Sequence, residues 1–478
     1  MVQSIKEARR DQSRFEIERL VRELDEWQKR RKSQDQDENA QYRGQYKSQL
    51  EAVVNAVSGA AKVISDDMAA ANFSALSSGE AYAKCNKYDK VIIWLWRVFN
   101  YFKEKFDQRD HPILQESLRA ADEVLWSCYK PFFQKPHMAN RREPPPLPYI
   151  ETEFSPLAIR RDQSPGSLDQ KVMFEPLKNY LRKMPVAVLR LPTTAVTSPW
   201  SLVLIGHEVG HFIQPMIEPG FGYATLLRES LDANLSAAGV SQTERDNWVS
   251  WAPEIFADWY SVLMMGQWAV WVMAQFEMKD REAMQARRED YPAPIVRLDL
   301  MAKFVDTYIP GEGTNIIKKL ALDDEITAAG STVPDLKATQ IVCDTLTKPL
   351  PYGLGKFDDL LNFRAAEFQV SANSLQTGEV DQWSRALKGT LAKNNDQALR
   401  TARLIVAGAA KAWAEVMEDN EAKTREKTTL KLHKNTVDRV LRNGEKGTRS
   451  IQSKAEAPPG VELGKILLAA DPSQLEFE

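Results

Sequence analysis

The chain has 478 residues, of which 43% are hydrophobic and 27% charged, and its 63 Lys and Arg side chains nearly balance 66 Asp and Glu. This composition excludes a wholly disordered chain, a collagen-like repeat and a polytopic membrane protein. The net charge of −3 gives no support to a nucleic-acid partner. The cysteines at 85, 128 and 343 are odd in number and far apart. They predict no disulfide framework and favour a reducing, cytoplasmic location.

The N-terminal region, residues 1–148, has the pattern of a helical unit and lacks the apolar core of a signal peptide. Residues 1–48 predict a charged amphipathic helix. Its apolar face consists of Ile17, Leu20, Val21, Leu24 and Trp27. That helix can pack on its own protein or serve as an arm for a protein partner. Further helical patterns follow, and the aromatic run VIIWLWRVFNYF at 91–102 is typical of a core.

The prolines within Arg141–Pro148 break any helix and predict an extended connector, either a linker or a ligand for a proline-binding module. We place the first domain boundary there. The later segment MPVAVLRLP at 184–192 predicts a short β-strand, and its flanking prolines indicate an edge strand. Val186–Leu191 could then pair with an extended peptide substrate, or the N-terminal helices could bury it as an ordinary strand.

Two helices are expected after this strand. The first begins with Ser198 as N-cap and Pro199 at the first helical position, and it continues to about Ile213. The second is expected from near Pro253 to about Met278. It contains 18 uncharged residues, Trp259–Phe276, which is the lower limit for a membrane span. Polar residues within this segment favour the central helix of a soluble core and no membrane contact.

The C-terminal region, residues 311–442, also predicts helices, and its segment 399–417 has a face of small residues suited to close packing. Residues 443–478 are expected to form a flexible tail, because NGEKGTRSIQSKAEAPPG is polar and contains Gly and Pro. The overlapping stretch 421–454 is basic, which fits a solvated helix face or a contact with an acidic partner.

A metal-binding motif lies on the first of the two central helices, where residues 207–211 spell His-Glu-Val-Gly-His. Residues four apart project from nearly the same face of a helix, so His207 and His211 can bind one metal ion. Glu208 lies about 100° around the helix and can hold a metal-bound water without binding the metal. The chain has only five histidines, so a chance H-E-x-x-H is rare.

The third ligand is expected to be a carboxylate, because no histidine follows at the spacing of the H-E-x-x-H-x-x-G-x-x-H class. The second central helix supplies Glu254 and Asp258, which share a face. Glu254 can bind the metal, while Asp258 can accept the second ring N–H of a ligating histidine. The missing side chain of Gly210 would let a neighbouring helix approach closely behind the metal.

The two motifs together resemble those of the gluzincin, or thermolysin-type, clan of metallopeptidases over about residues 185–300. The resemblance implies a mainly α fold with a small β element, in which a zincin-like core at 149–310 is flanked by helical regions. It implies that Zn²⁺ is bound by His207, His211 and Glu254, that Glu208 is the general base, and that Asp258 supports a histidine. The local sequence EIFAD also resembles uncharacterised bacterial proteins associated with stress or phage-defence loci.

Members of that clan use a histidine to stabilise the oxyanion, and this chain has no histidine between Glu254 and His433. Tyr291, Arg297 and Tyr260 are the candidates for a replacement donor, and we assign the role to Tyr291. The sequence therefore predicts a cytoplasmic zinc endopeptidase that acts on a protein or peptide. The alternative is a helical adaptor with a structural or vestigial metal site, which binds partners through its N-terminal helix and its basic C-terminal stretch.

Overall fold

The computed structural model describes residues 5–35, 46–133, 144–153, 156–160, 174–217, 223–348, 378–390, 398–418, 422–443 and 457–475. These residues form a mainly helical protein with one small sheet, as the sequence predicted. Among them, no helix combines the length and the apolar character that crossing a bilayer requires.

The helices that precede the His-Glu-Val-Gly-His motif are α1 Ile5–Asp35, α2 Lys47–Ala70, α3 Ser78–Asp107, α4 Gln115–Phe133 and α5 Glu175–Arg182. The central helices are α6 Ile205–Ile217, α7 Tyr223–Ala237, α8 Gln242–Ser250, α9 Ala252–Met265, α10 Gln267–Glu277, α11 Arg281–Gln285 and α12 Pro294–Tyr308. The later helices are α13 Glu312–Lys319, α14 Asp323–Ala329, α15 Thr339–Thr347, α16 Gly378–Leu387, α17 Ala398–Met417, α18 Ala422–Arg442 and α19 Gly460–Ala469.

The sheet has the strand order β1–β3–β2, formed by β1 Leu147–Glu151, β2 Leu157–Ile159 and β3 Val188–Pro192. Strand β3 pairs parallel with β1 and antiparallel with β2. The prediction that this segment is an edge strand was wrong, because β3 is central in the described sheet. Pro185 precedes β3 and Pro192 ends it, so neither proline interrupts the middle of the strand. The two edge strands of the described sheet are β1 and β2, one on each side of β3.

Two clusters of buried apolar side chains meet at the sheet. Leu147 and Val188 belong to the cluster built by α1–α3, α5 and α19. Leu189 and Leu191 belong to the larger cluster built by α4 and the helices from α6 to α18. Alternate residues of a strand face opposite sides, so β3 is buried on both faces, which explains its nearly continuous apolar sequence.

The N-terminal helix packs on its own protein. Helix α1 buries Ile17, Leu20, Leu24 and Trp27 and contacts α2 and α3. The proline connector is also part of the packed structure over the residues described, because Pro144–Pro146 are buried and Gln49 donates to the Pro145 carbonyl. Residues 141–143 lie outside the described residues.

Both central helices differ from their predicted extents. The first starts as a 3₁₀ helix, Pro199–Leu204, and becomes α-helical only at Ile205; the Ser198 side chain makes no capping hydrogen bond. The predicted helix from 253 to 278 is divided into α9 and α10 at Gly266. Gly266 has φ 61° and ψ −148°, a conformation that is essentially restricted to glycine.

The predicted C-terminal tail is helical where the structure describes it. Helix α19 contacts α2, and a Cβ added to Gly460 would lie 2.2 Å from the Asn55 carbonyl oxygen. The expectation of flexibility is therefore wrong for residues 457–475, because glycines permit close backbone packing there. Residues 444–456, which carry most of the polar tail sequence, lie outside the described residues. In the preceding region, Gly408 of α17 packs against Trp383, as the small-residue face predicted.

Ala321 provides a direct test of backbone strain, since it has a left-handed φ of 54° just after α13 and is exposed. A non-glycine residue in this conformation costs roughly 1–2 kcal/mol. We expect Ala321→Gly to raise the free energy of unfolding by about 0.5–1 kcal/mol, after the greater flexibility of glycine in the unfolded chain is included. The matched control is Ala328→Gly at an exposed position inside α14, which should instead lower it. Urea unfolding measures both; a destabilising Ala321→Gly would contradict this account.

Candidate metal centre

Helices α6 and α9 cross at unusually close range because two glycines face the contact. A Cβ added to Gly210 would lie 2.7 Å from the Cα of Ala257, and one added to Gly206 would lie 3.2 Å from Met265 Cγ. Since Gly206 contacts the later part of α9 and Gly210 the earlier part, the helices run antiparallel. This arrangement brings the motif on α6 against Glu254 and Asp258, as the sequence analysis expected of Gly210.

Three ligand-type side chains converge at this contact, and they are the three that the sequence predicts. The Nε2 atoms of His207 and His211 are 3.1 Å apart. The Glu254 carboxylate places Oε2 3.3 Å from His207 Nε2 and Oε1 3.4 Å from His211 Nε2. Ligand atoms that bind zinc tetrahedrally at about 2.0–2.1 Å are about 3.3 Å from one another. The spacing of the three groups therefore fits one Zn²⁺ ion.

The hydrogen bonding of His207 supports a cation between these groups. Its Nδ1 lies 2.8 Å from Asp258 Oδ1, so the neutral ring carries its proton on Nδ1 and directs the lone pair of Nε2 toward Glu254. Glu254 Oε2 is buried and has no hydrogen-bond partner among the described residues. A lone pair and a carboxylate oxygen repel each other unless a proton or a metal cation lies between them.

The pKa values of His207 and Glu254 are both shifted by the oppositely charged groups that surround them. Burial lowers the pKa of His207, but the carboxylates of Asp258 and Glu254 outweigh burial and raise that pKa to about 10. Burial raises the pKa of Glu254, but His211 and His207 outweigh it, so the pKa falls well below its usual range. The raised pKa favours a proton on His207, which a bound metal ion would displace.

Asp258 is held in place by Arg297, whose Nε and one terminal nitrogen donate to the two carboxylate oxygens at 2.7 and 2.8 Å. Both side chains are nearly inaccessible, at 3% and 4% exposure. Burial raises the pKa of Asp258, but Arg297 and then His207 outweigh it and lower the pKa. Arg297 was a candidate oxyanion donor. In the structure its guanidinium instead pairs with the Asp258 carboxylate.

Glu208 lies on the side of α6 that faces the edge of the sheet. It is 4% exposed and accepts a hydrogen bond from the backbone N–H of Ala158 in β2. Burial raises the pKa of Glu208, and the two histidines only partly oppose this shift. The expected base is thus oriented by the edge strand, a contact that no side-chain pattern could have predicted because it uses a backbone amide.

The remaining donor candidates occupy different environments. The Tyr260 hydroxyl donates to the Cys128 carbonyl in the core, so it is directed away from the ligand cluster. Tyr291 is half-buried beside the cluster, and its pKa is raised, first by burial and then by the charge of Glu254; Glu208 and Asp258 contribute smaller increases. Tyr291 therefore keeps its phenolic proton and lies within electrostatic range of the expected base and ligand.

Sequence analysis missed two further charged residues of this network. Glu277 Oε1 accepts hydrogen bonds from Arg297 at 2.8 Å and from Arg288 at 2.9 Å. The sequence did contain a signal for Glu277, which is the first charged residue after the uncharged run 259–276. An acid next to such an apolar segment is expected to be buried and to require partners. In the described network, four carboxylates then face two guanidiniums. With neutral imidazoles and all four carboxylates ionised, this leaves two negative charges, which a divalent cation would balance.

No protein-family model, curated protein or solved structure matches the chain. The assignment of a function therefore depends on the geometry and the charges of this site.

The close approach of α6 and α9 yields a test. Gly210→Ala would force the helices apart, because the new Cβ would lie 2.7 Å from a backbone atom. We expect a loss of about 1–3 kcal/mol in unfolding free energy together with weaker zinc binding. The control is Gly79→Ala in α3, where an added Cβ meets nothing within 4 Å. Thermal unfolding and zinc titration measure the two effects; a Gly210→Ala protein that matched Gly79→Ala in both would contradict the packing argument.

Proposed function

We propose that the protein is a cytoplasmic, zinc-dependent endopeptidase with a zincin-like core that hydrolyses peptide bonds of a protein or peptide. The observation that carries the proposal is the convergence of His207, His211 and Glu254 next to the buried carboxylate of Glu208. A bound Zn²⁺ ion would polarise the scissile carbonyl and lower the pKa of a bound water to roughly 7.

The remaining steps, which are proton transfer, orientation of the groups and stabilisation of the oxyanion, are assigned to residues of the chain. Glu208 accepts the proton of the attacking water on its carboxylate and passes it to the leaving amine. The Ala158 N–H orients this carboxylate, and Asp258 keeps the His207 proton on Nδ1. The phenolic hydroxyl of Tyr291 is the donor assigned to the developing oxyanion.

The edge strand suggests how a substrate is held. Strand β2 pairs with β3 on one side only among the described residues, and its Ala158 contacts Glu208. An extended peptide that adds to the outer side of β2 would place its backbone beside the base. Of the two alternatives left open for Val186–Leu191, the described sheet favours the ordinary buried strand, so we assign the pairing with substrate to β2.

The accessibility of the ligands favours this function over a helical adaptor with a closed metal site. The side chains of His211 and Glu254 keep 17% and 15% exposure, whereas His207 keeps 6%. A catalytic metal needs a coordination position that substrate can reach, while a structural metal is closed by protein ligands. The partial exposure of one side of the cluster supports the catalytic alternative.

The ligand set predicts which substitutions abolish metal binding. His207→Ala and Glu254→Ala should each reduce zinc from about one ion per chain to a trace, because each removes one of only three protein ligands. The controls are His111→Ala and Glu282→Ala, which change exposed residues of the same types. Elemental analysis after dialysis against a weak chelator makes the comparison. Full zinc content in Glu254→Ala would remove Glu254 from the site.

The role of Glu208 predicts a different outcome. Glu208→Gln should keep zinc near one per chain but reduce peptide hydrolysis on the order of 10²–10⁴-fold, because the amide cannot accept the proton of water. Mass spectrometry of a diverse peptide library incubated with the zinc-loaded chain measures cleavage. Equal cleavage by the wild type and Glu208→Gln would reject this base, and zinc binding without any cleavage by the wild type would favour the adaptor.

A further inference from the structure

Glu277 occupies a central position in the buried charge network, although it does not contact the ligand cluster itself. It is the last residue of α10, and its side chain is 7% exposed. One of its oxygens, Oε1, accepts from both Arg297 and Arg288. Two guanidiniums that share one carboxylate oxygen would repel each other if that carboxylate were absent.

The guanidiniums of Arg288 and Arg297 also contact the aromatic ring of Tyr291. The Cζ atoms of Arg288 and Arg297 lie 4.9 and 5.0 Å from the centroid of the Tyr291 ring. These distances are within the range of cation–π attraction. Glu277 therefore fixes the positions of the two cations that contact Tyr291.

The segment that carries Tyr291, residues 286–293 between α11 and α12, is held by other contacts as well. Arg287 makes a bidentate ion pair with the buried Asp335, and Trp251 Nε1 donates to the Glu289 carbonyl. These contacts join the segment to the core. The Glu277 contact differs from them because it leads through Arg297 to Asp258, and from Asp258 to His207.

We propose that Glu277 is a positioning residue of the metal centre, which binds Arg288 and Arg297 together and so couples the Tyr291 segment to the alignment of Asp258 on His207. The inference deepens the proposed function and rests on it. Without the Glu277 charge, Arg297 would lose the second of its two hydrogen-bonded carboxylate partners, and Arg288 would lose the buried oxygen to which it donates. Both the metal ligand and the assigned oxyanion donor would then lose support.

The test compares substitutions in the full-length chain with Co²⁺ and Zn²⁺ as probes. Glu277→Gln should weaken Co²⁺ binding on the order of tenfold, change the visible absorption band of the bound Co²⁺, and speed hydrogen exchange of the amides in 286–293. Glu277→Asp keeps the charge and should recover part of the affinity. Glu282→Gln removes an exposed carboxylate from the neighbouring helix α11 and should change none of the three measurements.

A further variant separates the two partners of Glu277. Arg288→Met leaves the Glu277–Arg297 pair intact, so it should speed exchange in 286–293 and leave the Co²⁺ spectrum unchanged. If Glu277→Gln does not fold, Glu277→Asp decides, because its shorter side chain should still bind Co²⁺ more weakly than the wild type does. The inference is overturned if Glu277→Gln matches Glu282→Gln in affinity, spectrum and exchange, or if Arg288→Met exchanges like the wild type. Failure of the wild-type chain to bind either metal would instead overturn the proposed function.

Discussion

The uncompensated charge at the contact between α6 and α9 is the constraint on which the site depends. Four carboxylates, Glu208, Glu254, Asp258 and Glu277, belong to a network in which Arg288 and Arg297 are the only guanidiniums among the described residues. Isolated buried charges are too costly for a fold to retain without compensation. A proton on His207 is a partial solution, and the raised pKa of that residue reflects it. A divalent cation would be a complete one, because it would balance the two remaining charges and occupy the point where three ligand atoms meet.

The fold supplies the rigidity that such a site requires. Gly206 and Gly210 bring α6 and α9 into contact at the backbone, so the ligands do not rely on long, flexible side chains. The sheet lies between two buried apolar clusters and places β2 next to Glu208. Arg297 and Glu277 then extend support outward to the segment that carries Tyr291. His207, Asp258 and Tyr291 are therefore each held by a residue that is itself held, which is the arrangement that preserves the geometry of a metal site.

The sequence predicted the elements of the site better than the shapes of the elements around it. The spacing of His207 and His211 and that of Glu254 and Asp258 follow from helical periodicity, and the structure brings all four together. The break at Gly266 was missed because the flanking apolar pattern continues through it, and only a positive φ reveals the end of α9. The central position of β3 was missed because its partners, β1 and β2, come from a segment without a clear strand pattern. The role of Glu277 in the charge network could have been suspected from its position in the sequence. The contact of the Ala158 amide could not, because every residue other than proline carries the same backbone N–H group.

The coordination shell of zinc in the reconstituted chain is the most direct test of the central claim, and X-ray absorption at the zinc K-edge measures it. The account predicts four nitrogen or oxygen neighbours at about 2.0–2.1 Å, with outer-shell scattering from two imidazole rings and one position filled by solvent. Sulfur neighbours, or a shell without the scattering of two imidazoles, would show that the cation binds elsewhere. In that case the charge at the contact between α6 and α9 would need another explanation.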